Sequence, residues 1–211
     1  MRDLLKYPTV IYDANCIIYY CFQFPEHDIN GRSITVTGPY TEKARRITSI
    51  LVRESRAIAT LRAARQEVET VIVAKALSAL LEEGFIQRQL KLTGKPTPAL
   101  KLRMAQKLKS EILKLTKESW YTEDRTYTPR QDRIGAVRAS YDDFASNPQT
   151  RDRIPPYKGQ PSEVDVALIL YSGDSNLPLL TNDREIFNFA AELAAQGFCA
   201  LIKAFPHVSF N

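Results

Sequence analysis

The sequence predicts an α/β fold with a parallel central sheet. Short runs rich in β-branched and aromatic residues alternate with helical patterns near both ends of the 211-residue chain, and this alternation is typical of α/β proteins with parallel strands. Apolar residues make up 44% of the chain, which is enough for the core of one domain. Residues 92–160 differ in composition and are predicted to form a basic, mainly helical insertion within a single domain, 1–211.

The first part of the chain predicts two strands and three helices. Apolar residues after Thr41 recur at helical spacing, and Thr41 is a suitable N-cap. A Pro, Gly, Asn and Asp content typical of loops marks the stretch before it. The predicted elements are a strand at 9–12, a helix at 14–24, a loop at 25–40, a helix at 41–66, a strand at 68–74 and a helix at 77–90.

In the middle segment, Thr97 and Pro98 form a good N-cap and first-turn pair for a basic helix near residues 97–120. Residues 126–162 are polar, contain proline and have little periodicity, so they are predicted to be mostly irregular. In the last part, the alternation returns. The predicted elements there are a helix at 162–173, a strand at 177–181, a helix at 183–197 and a strand at 199–205.

The positive charge is concentrated in one region. The chain has a net charge of +5, whereas residues 88–133 alone carry +7 and the remainder about −2. A basic helix followed by aromatic residues suits phosphate tracking and base stacking on a single-stranded nucleic acid. An equally simple interpretation is a solvated helix whose apolar stripe packs on the domain or on another subunit. The predicted nucleic-acid contacts are Lys101, Arg103, Lys107, Lys109, Lys114, Lys117 and Arg130.

Acidic residues lie where parallel strands end. Asp13 follows the first predicted strand and Asp183 follows the strand at 177–181. Asp165 lies in the first turn of a mostly apolar helix, and Glu82 or Glu83 lies on the helix after the second predicted strand. Because functional groups collect beyond the carboxyl ends of parallel strands, these acids are expected to converge. Taken singly, the aspartates would serve as helix N-caps and the glutamates as solvated surface residues.

Convergence has an electrostatic consequence. Two ionised carboxylates about 5 Å apart repel by roughly 3 kcal/mol at an effective dielectric near 20. The cluster must therefore retain protons or share a divalent cation. Oxygen ligands without nearby His or Cys favour Mg²⁺ or Mn²⁺, and such an ion activates water and stabilises charge on a phosphoryl oxygen.

Other catalytic classes lack their residues. The eight glycines form neither a G-x-x-x-x-G-K nor a G-x-G-x-x-G motif, which argues against these nucleotide-binding loops. The two histidines, His27 and His207, are poorly placed to activate a nucleophile. Haloacid-dehalogenase-like phosphotransfer requires a second Asp where this chain has Asn15.

The expected location is the cytoplasm. The three cysteines, Cys16, Cys21 and Cys199, are odd in number and lack C-x-x-C spacing, as in a reduced intracellular protein. Pro8 and Asp13 interrupt the apolar residues near the N-terminus, so no signal peptide is predicted. No stretch of the sequence is long and apolar enough to predict a membrane span.

Four acidic segments together resemble a known family. In order, "VIYDANCIIYY", "LSALLEEGF", "SEVDVALILYSG" and "LPLLTNDREIF" resemble the acidic motifs of PIN-domain nucleases, including the VapC-type ribonuclease toxins of type II toxin–antitoxin systems. The most specific piece is "LLTNDREIF", a strand followed by Thr, Asn, Asp and a helix. Two features depart from the family: residues 92–160 have no counterpart, and the glutamate lies unusually far beyond its strand.

The resemblance implies a fold and a function. The expected fold is a three-layer α/β/α sandwich, and the expected activity is Mg²⁺- or Mn²⁺-dependent cleavage of single-stranded RNA. The acidic cluster would consist of Asp13, Glu82 (or, less favoured, Glu83), Asp165 and Asp183, supported by the polar residues Asn15, Thr181 and Asn182. An antitoxin protein and a second copy of the chain are the expected protein partners. Alternatives are a PIN-like protein that binds nucleic acid or a partner without cutting, and a nuclease for DNA or structured junctions.

Overall fold

The computed structural model describes residues 1–153 and 160–210. In this part of the chain, five parallel strands form the central sheet and two antiparallel strands form a hairpin. The strands are β1 (Thr9–Tyr12), β2 (Gln23–His27), β3 (Ser33–Thr37), β4 (Ala57–Leu61), β5 (Tyr121–Asp124), β6 (Pro178–Thr181) and β7 (Leu201–Ala204). The central sheet has the order β5-β4-β1-β6-β7, and the hairpin consists of β2 and β3. The predicted α/β class and parallel sheet are confirmed.

Helices cover both faces of the sheet. They are α1 (Ala14–Cys21), α2 (Thr41–Arg53), α3 (Arg62–Glu67), α4 (Val73–Glu82), α5 (Phe85–Leu90), α6 (Pro98–Leu115), α7 (Gln131–Ser146), α8 (Glu163–Ser175), α9 (Arg184–Phe187) and α10 (Ala190–Ala195). A π-helical stretch, Val68–Ile72, joins α3 to α4, and 3₁₀ turns lie at Leu4–Lys6, Arg151–Arg153 and Phe205–His207. Each of the helices described here is too short or too polar to cross a bilayer.

Two hydrophobic cores lie on opposite faces of the sheet, as the three-layer prediction requires. Neighbouring residues of a strand point to opposite faces: Val10 packs in one core and Ile11 in the other. The first core contains buried residues of α1, α2, α4 and α6, whereas the second contains those of α7, α8 and α10. The three-layer α/β/α sandwich is confirmed.

The prediction of one helix at 41–66 and a strand at 68–74 is wrong. Helix α2 ends at Arg53 and Ser55 has a positive φ of 57°, after which Ala57–Leu61 forms β4 between β1 and β5. Residues 62–82 are then continuously helical. A short apolar run fits the periodicity of a helix as well as that of a strand. Residues 57–61 form a strand because they pair with a neighbouring strand on each side.

The predicted loop at 25–40 is also wrong, because β2 and β3 pair there in register. Its turn is closed by Asp28, whose Oδ1 accepts hydrogen bonds of 2.9 Å from the amides of Asn30 and Arg32. The hairpin shortens the preceding helix, which ends at Cys21 instead of residue 24. The predicted helix at 77–90 is divided at Gly84, which has a φ of +68°, a conformation that glycine adopts without steric cost.

The basic helix α6 is confirmed, and Thr97 Oγ1 accepts the amide of Leu100 at 3.2 Å. Its apolar stripe packs on the domain, with Met104, Leu108 and Ile112 fully buried. The prediction that residues 126–162 are mostly irregular is wrong, because α7 occupies Gln131–Ser146 and packs in the second core. Strand β5, the edge strand beside β4, was not predicted. Polar surface residues conceal both elements in the sequence. Residues 154–159 of this prediction lie outside the described part of the chain.

The elements of the last part follow their predicted order. Helix α8 begins after Ser162, β6 occupies 178–181 and β7 occupies 201–204. The helix predicted at 183–197 is present as two shorter helices, α9 and α10, separated near Phe189. Phe189 is fully buried and stacks on Phe144 at a centroid distance of 4.5 Å, so packing against α7 accompanies the break.

Candidate active site

The order of the strands places a crevice between β1 and β6. From β1 the chain adds β4 and β5 on one side, and then β6 and β7 on the other. Ligands of open α/β sheets bind at such a reversal of strand order, beyond the carboxyl ends of the strands. A cleft of about 850 Å³ lies here. Among the described residues, the acids that line it are Asp13, Glu67, Glu83, Asp165, Asp183 and Glu185.

Asp13 is the most constrained of these acids. It is 2% exposed and caps α1, with Oδ1 accepting the amide of Cys16 at 2.8 Å. Its Oδ2 accepts a hydrogen bond from the Thr181 hydroxyl. Burial, with a smaller contribution from the charge of Asp165, raises the pKa of Asp13 to about 6 against the lowering effect of these hydrogen bonds. Asp13 is therefore the N-cap of α1, and it also lines the cleft.

The three residues after Leu180 connect the cleft to its surroundings. Thr181, which holds Asp13, also accepts the amide of Asp183 at 2.8 Å. Asn182 Nδ2 donates to the hydroxyl of Tyr19 at 2.6 Å. Asp183 lines the cleft and accepts the amide of Glu185 at 2.9 Å. Thr181 and Asn182 thus lie behind the cleft as supporting residues, whereas Asn15 lies in its wall.

Asp165 combines a structural position with a place in the cleft. It is the third residue of α8 and forms a capping box with Ser162, whose hydroxyl lies 2.8 Å from Asp165 Oδ2. The pKa of the buried Tyr141 is raised by burial and then by the charges of Asp165, Asp183 and Glu185. The charges of three of the acids therefore reach one side chain, and the charge of Asp165 also reaches Asp13.

The predicted Glu82 does not line the cleft, whereas Glu83 does. Successive side chains of a helix point about 100° apart, so an error of one residue selects the wrong glutamate. The second strand was predicted in the wrong place, and the expected start of this helix was therefore wrong as well. Two further acids were missed. Glu67 follows β4 by six positions, a spacing that becomes visible only once 57–61 is recognised as the strand. Glu185 is 5% exposed. It could have been predicted from the sequence because it is an acid in the first helical turn after Asp183.

The donor atoms suit a hard divalent cation, since all the acids offer carboxylate oxygens. Within residues 1–153 and 160–210, however, no three His, Cys, Asp or Glu side chains are grouped closely enough to hold a metal ion. Lys75 is the one basic residue among the described residues that line the cleft. The carboxylates repel one another, so the arrangement without an ion is expected to be more open than one around an ion.

Several of the basic residues that were predicted to contact nucleic acid form salt bridges with carboxylates of the protein. Arg103 and Lys107 of α6 pair with Glu26 at 3.1 and 3.2 Å, and Glu26 has a side chain only 3% exposed. These two cations therefore fix α6 to the hairpin. Two others pair locally, Lys114 with Glu111 and Arg130 with Asp132, each at 2.6 Å. Lys101, Lys109 and Lys117 are exposed.

The aromatic residues after α6 are packed against the protein. Trp120 lies edge-on to Tyr20 at 5.8 Å, and Tyr127 contacts Tyr171 at 4.9 Å. Tyr121 is buried. Within the described part of the chain, the aromatic residues that line the cleft are instead Tyr19 and Tyr40, together with Phe22.

Comparisons of the chain with protein-family models, with curated proteins and with solved structures find no match.

Proposed function

We propose that this protein is a divalent-cation-dependent phosphodiester hydrolase that cleaves single-stranded RNA in the cleft between β1 and β6. The observation that carries the proposal is the buried Asp13, held at the reversal of strand order with Asp165 and Asp183 around the same cleft. The resemblance of the four acidic segments to those of VapC-type ribonucleases supports RNA as the substrate.

The proposed cation would be held by Asp13, Asp165 and Asp183. Their carboxylates are hard oxygen donors from three separate elements. The proposal requires that the ends of α1, α8 and β6 bring them together around the ion. Glu67, Glu83 and Glu185 are further donors in the same wall. When bound, such an ion activates water and neutralises charge on a phosphoryl oxygen.

The protein sets the orientation and the protonation state of the Asp13 carboxylate. The Thr181 hydroxyl and the Cys16 amide fix both oxygens of Asp13, and each carboxylate oxygen retains a second lone pair for a ligand. The pKa of Asp13 is about 6, so the side chain is mostly ionised at neutral pH. Lys75 in the same wall adds a positive charge that can approach a substrate phosphate.

The test is cleavage of a labelled single-stranded RNA, beside single-stranded DNA and duplex substrates. We expect cleavage of the RNA with Mg²⁺ or Mn²⁺ and none with EDTA. Asp13→Asn removes a ligand charge and should lower the rate by about a hundredfold or more. The matched control is Asp132→Asn, since Asp132 is 63% exposed and pairs with Arg130 outside the cleft.

Three outcomes would contradict the proposal. Cleavage that persists in EDTA or in Asp13→Asn would remove the cation and Asp13 from the mechanism. Binding of RNA without cleavage under any divalent ion would favour a protein that binds without cutting. Cleavage of DNA or structured junctions in preference to RNA would identify a different nuclease class.

A further inference from the structure

An aromatic wall, formed by Tyr19 and Tyr40, lines the same cleft as the acids. Tyr40 is 40% exposed and lines the cleft beside the half-buried Tyr19, with 5.0 Å between the ring centroids. Phe205 is buried behind both, at 5.4 Å from Tyr19 and 6.1 Å from Tyr40. Tyr40 is thus supported from behind by two rings and retains an accessible surface.

Helix stability does not account for an aromatic residue at position 40. Tyr40 is the N-cap of α2, yet its side chain makes no capping hydrogen bond, and Ser, Thr, Asp or Asn would serve that position better. Thr41 satisfies the local backbone instead: its hydroxyl accepts the amide of Gly38 at 3.0 Å and donates to the carbonyl of Phe22 at 2.9 Å.

The aromatic wall is connected to the acidic wall by Asn182. Its side-chain amide holds the Tyr19 hydroxyl at 2.6 Å, while its neighbours in sequence are Thr181, which binds Asp13, and Asp183. One three-residue segment after β6 therefore contacts both Asp13 and Tyr19, the ring that lies beside Tyr40.

We propose that Tyr40, supported by Tyr19, stacks on an unpaired nucleobase next to the phosphate that enters the acidic cleft. This inference rests on the proposed function and assigns Tyr40 as a residue that positions the substrate. The acids repel the phosphate backbone, so a contact with a neutral part of the nucleotide adds affinity beyond what the proposed cation and Lys75 supply. A flat base gains free energy on an aromatic ring in any sequence. Bases within a duplex are already stacked, so the occupant is a single strand.

The test measures binding apart from cleavage. Affinities for a short fluorescein-labelled single-stranded RNA are measured by anisotropy with Mg²⁺ in the Asp13→Asn background, and KM and kcat are measured in the otherwise wild-type protein. Loss of one stacking contact by Tyr40→Ala should weaken binding by about tenfold and raise KM more than it lowers kcat. Tyr40→Phe, which retains the ring, should restore binding. Tyr7→Ala changes a half-buried tyrosine outside the cleft and is the control.

An RNA with one abasic position provides a second readout. It should bind more weakly than the intact strand to the protein with Tyr40, and equally to Tyr40→Ala. Equal affinities of Tyr40→Ala and the parent would overturn the stacking role even if the protein cleaves RNA. Tyr40-dependent binding without cleavage under any divalent ion would support stacking while refuting the nuclease function. No measurable binding of single-stranded RNA or DNA would overturn the inference.

Discussion

Asp13 carries a conflict between stability and function. The carboxyl group is 2% exposed, and burial raises its pKa from 3.8 to about 6. Between these two pH values the folded protein retains a proton that the unfolded chain has released. Stability therefore falls as the pH rises through this window and stays low above it, because the charged form is disfavoured in the fold. An N-cap that served only the helix would not require the loss of stability that comes from burying an ionised carboxylate.

We therefore predict that Asp13→Asn stabilises the protein in the absence of divalent ions. At pH 7 the gain should be on the order of 2 kcal/mol, since a pKa raised by about two units corresponds to that scale. The gain should shrink below pH 4, where Asp13 is neutral in both states. Urea unfolding in EDTA measures it. Asp132→Asn serves as the surface control, and an Asp13→Asn protein less stable than wild type at pH 7 would contradict the prediction.

The residues of the site were predictable to different degrees. Asp13 and Asp183 could be found because each follows a strand, and Asp165 because it begins an apolar helix. The glutamates could not be chosen, because one residue turns a helical side chain by about 100° and the start of the helix depends on where β4 ends. Tyr40 has no sequence signal of its own, because its role as a cleft residue follows from tertiary packing.

At the scale of elements, two helical glycines have opposite environments. Gly173 of α8 lies so close to the chain before β7 that a Cβ atom would stand 2.5 Å from the carbonyl oxygen of Phe198. Gly135 of α7 has no such neighbour within 4 Å. The first glycine permits the close approach of α8 to the last crossover, whereas the second only lowers the stability of its helix.

We predict that alanine distinguishes these two positions. Gly173→Ala should lower the free energy of unfolding by roughly 2 kcal/mol or more, because a backbone atom must move. Gly135→Ala should raise it by up to about 1 kcal/mol through helix propensity. Chemical denaturation of the two variants in parallel measures both changes. Similar effects of the same sign would show that α8 does not pack as closely as described.

Helices and strands marked by more than one sequence feature could be predicted, whereas those marked by a single feature could not. Helix α6 combines an N-cap, a proline and an apolar stripe, while β1 and β6 are short buried runs directly before an acid. The stretch 54–74 offered only apolar residues, which fit either periodicity, so pairing between β1 and β5 had to decide. Strand β5 has four residues and occupies an edge, which leaves too short a pattern to recognise.

For the whole molecule, positive and negative charge are divided between neighbouring helices of one layer. The region 88–133 carries +7, and its helix α6 packs against α1 and α4, both of which contribute residues to the acidic cleft. Part of the positive charge neutralises the buried Glu26. The exposed Lys101, Lys109 and Lys117 remain as predicted phosphate contacts, and the cation at the cleft remains a proposal.

The central claim is that Asp13, Asp165 and Asp183 share a divalent cation. Its most direct test is isothermal titration calorimetry of the intact protein with Mn²⁺, without nucleic acid. We predict saturable binding that Asp13→Asn and Asp165→Asn each weaken by more than about tenfold, with Asp132→Asn unchanged. Absence of Mn²⁺ binding, or equal affinity in all four proteins, would contradict the account.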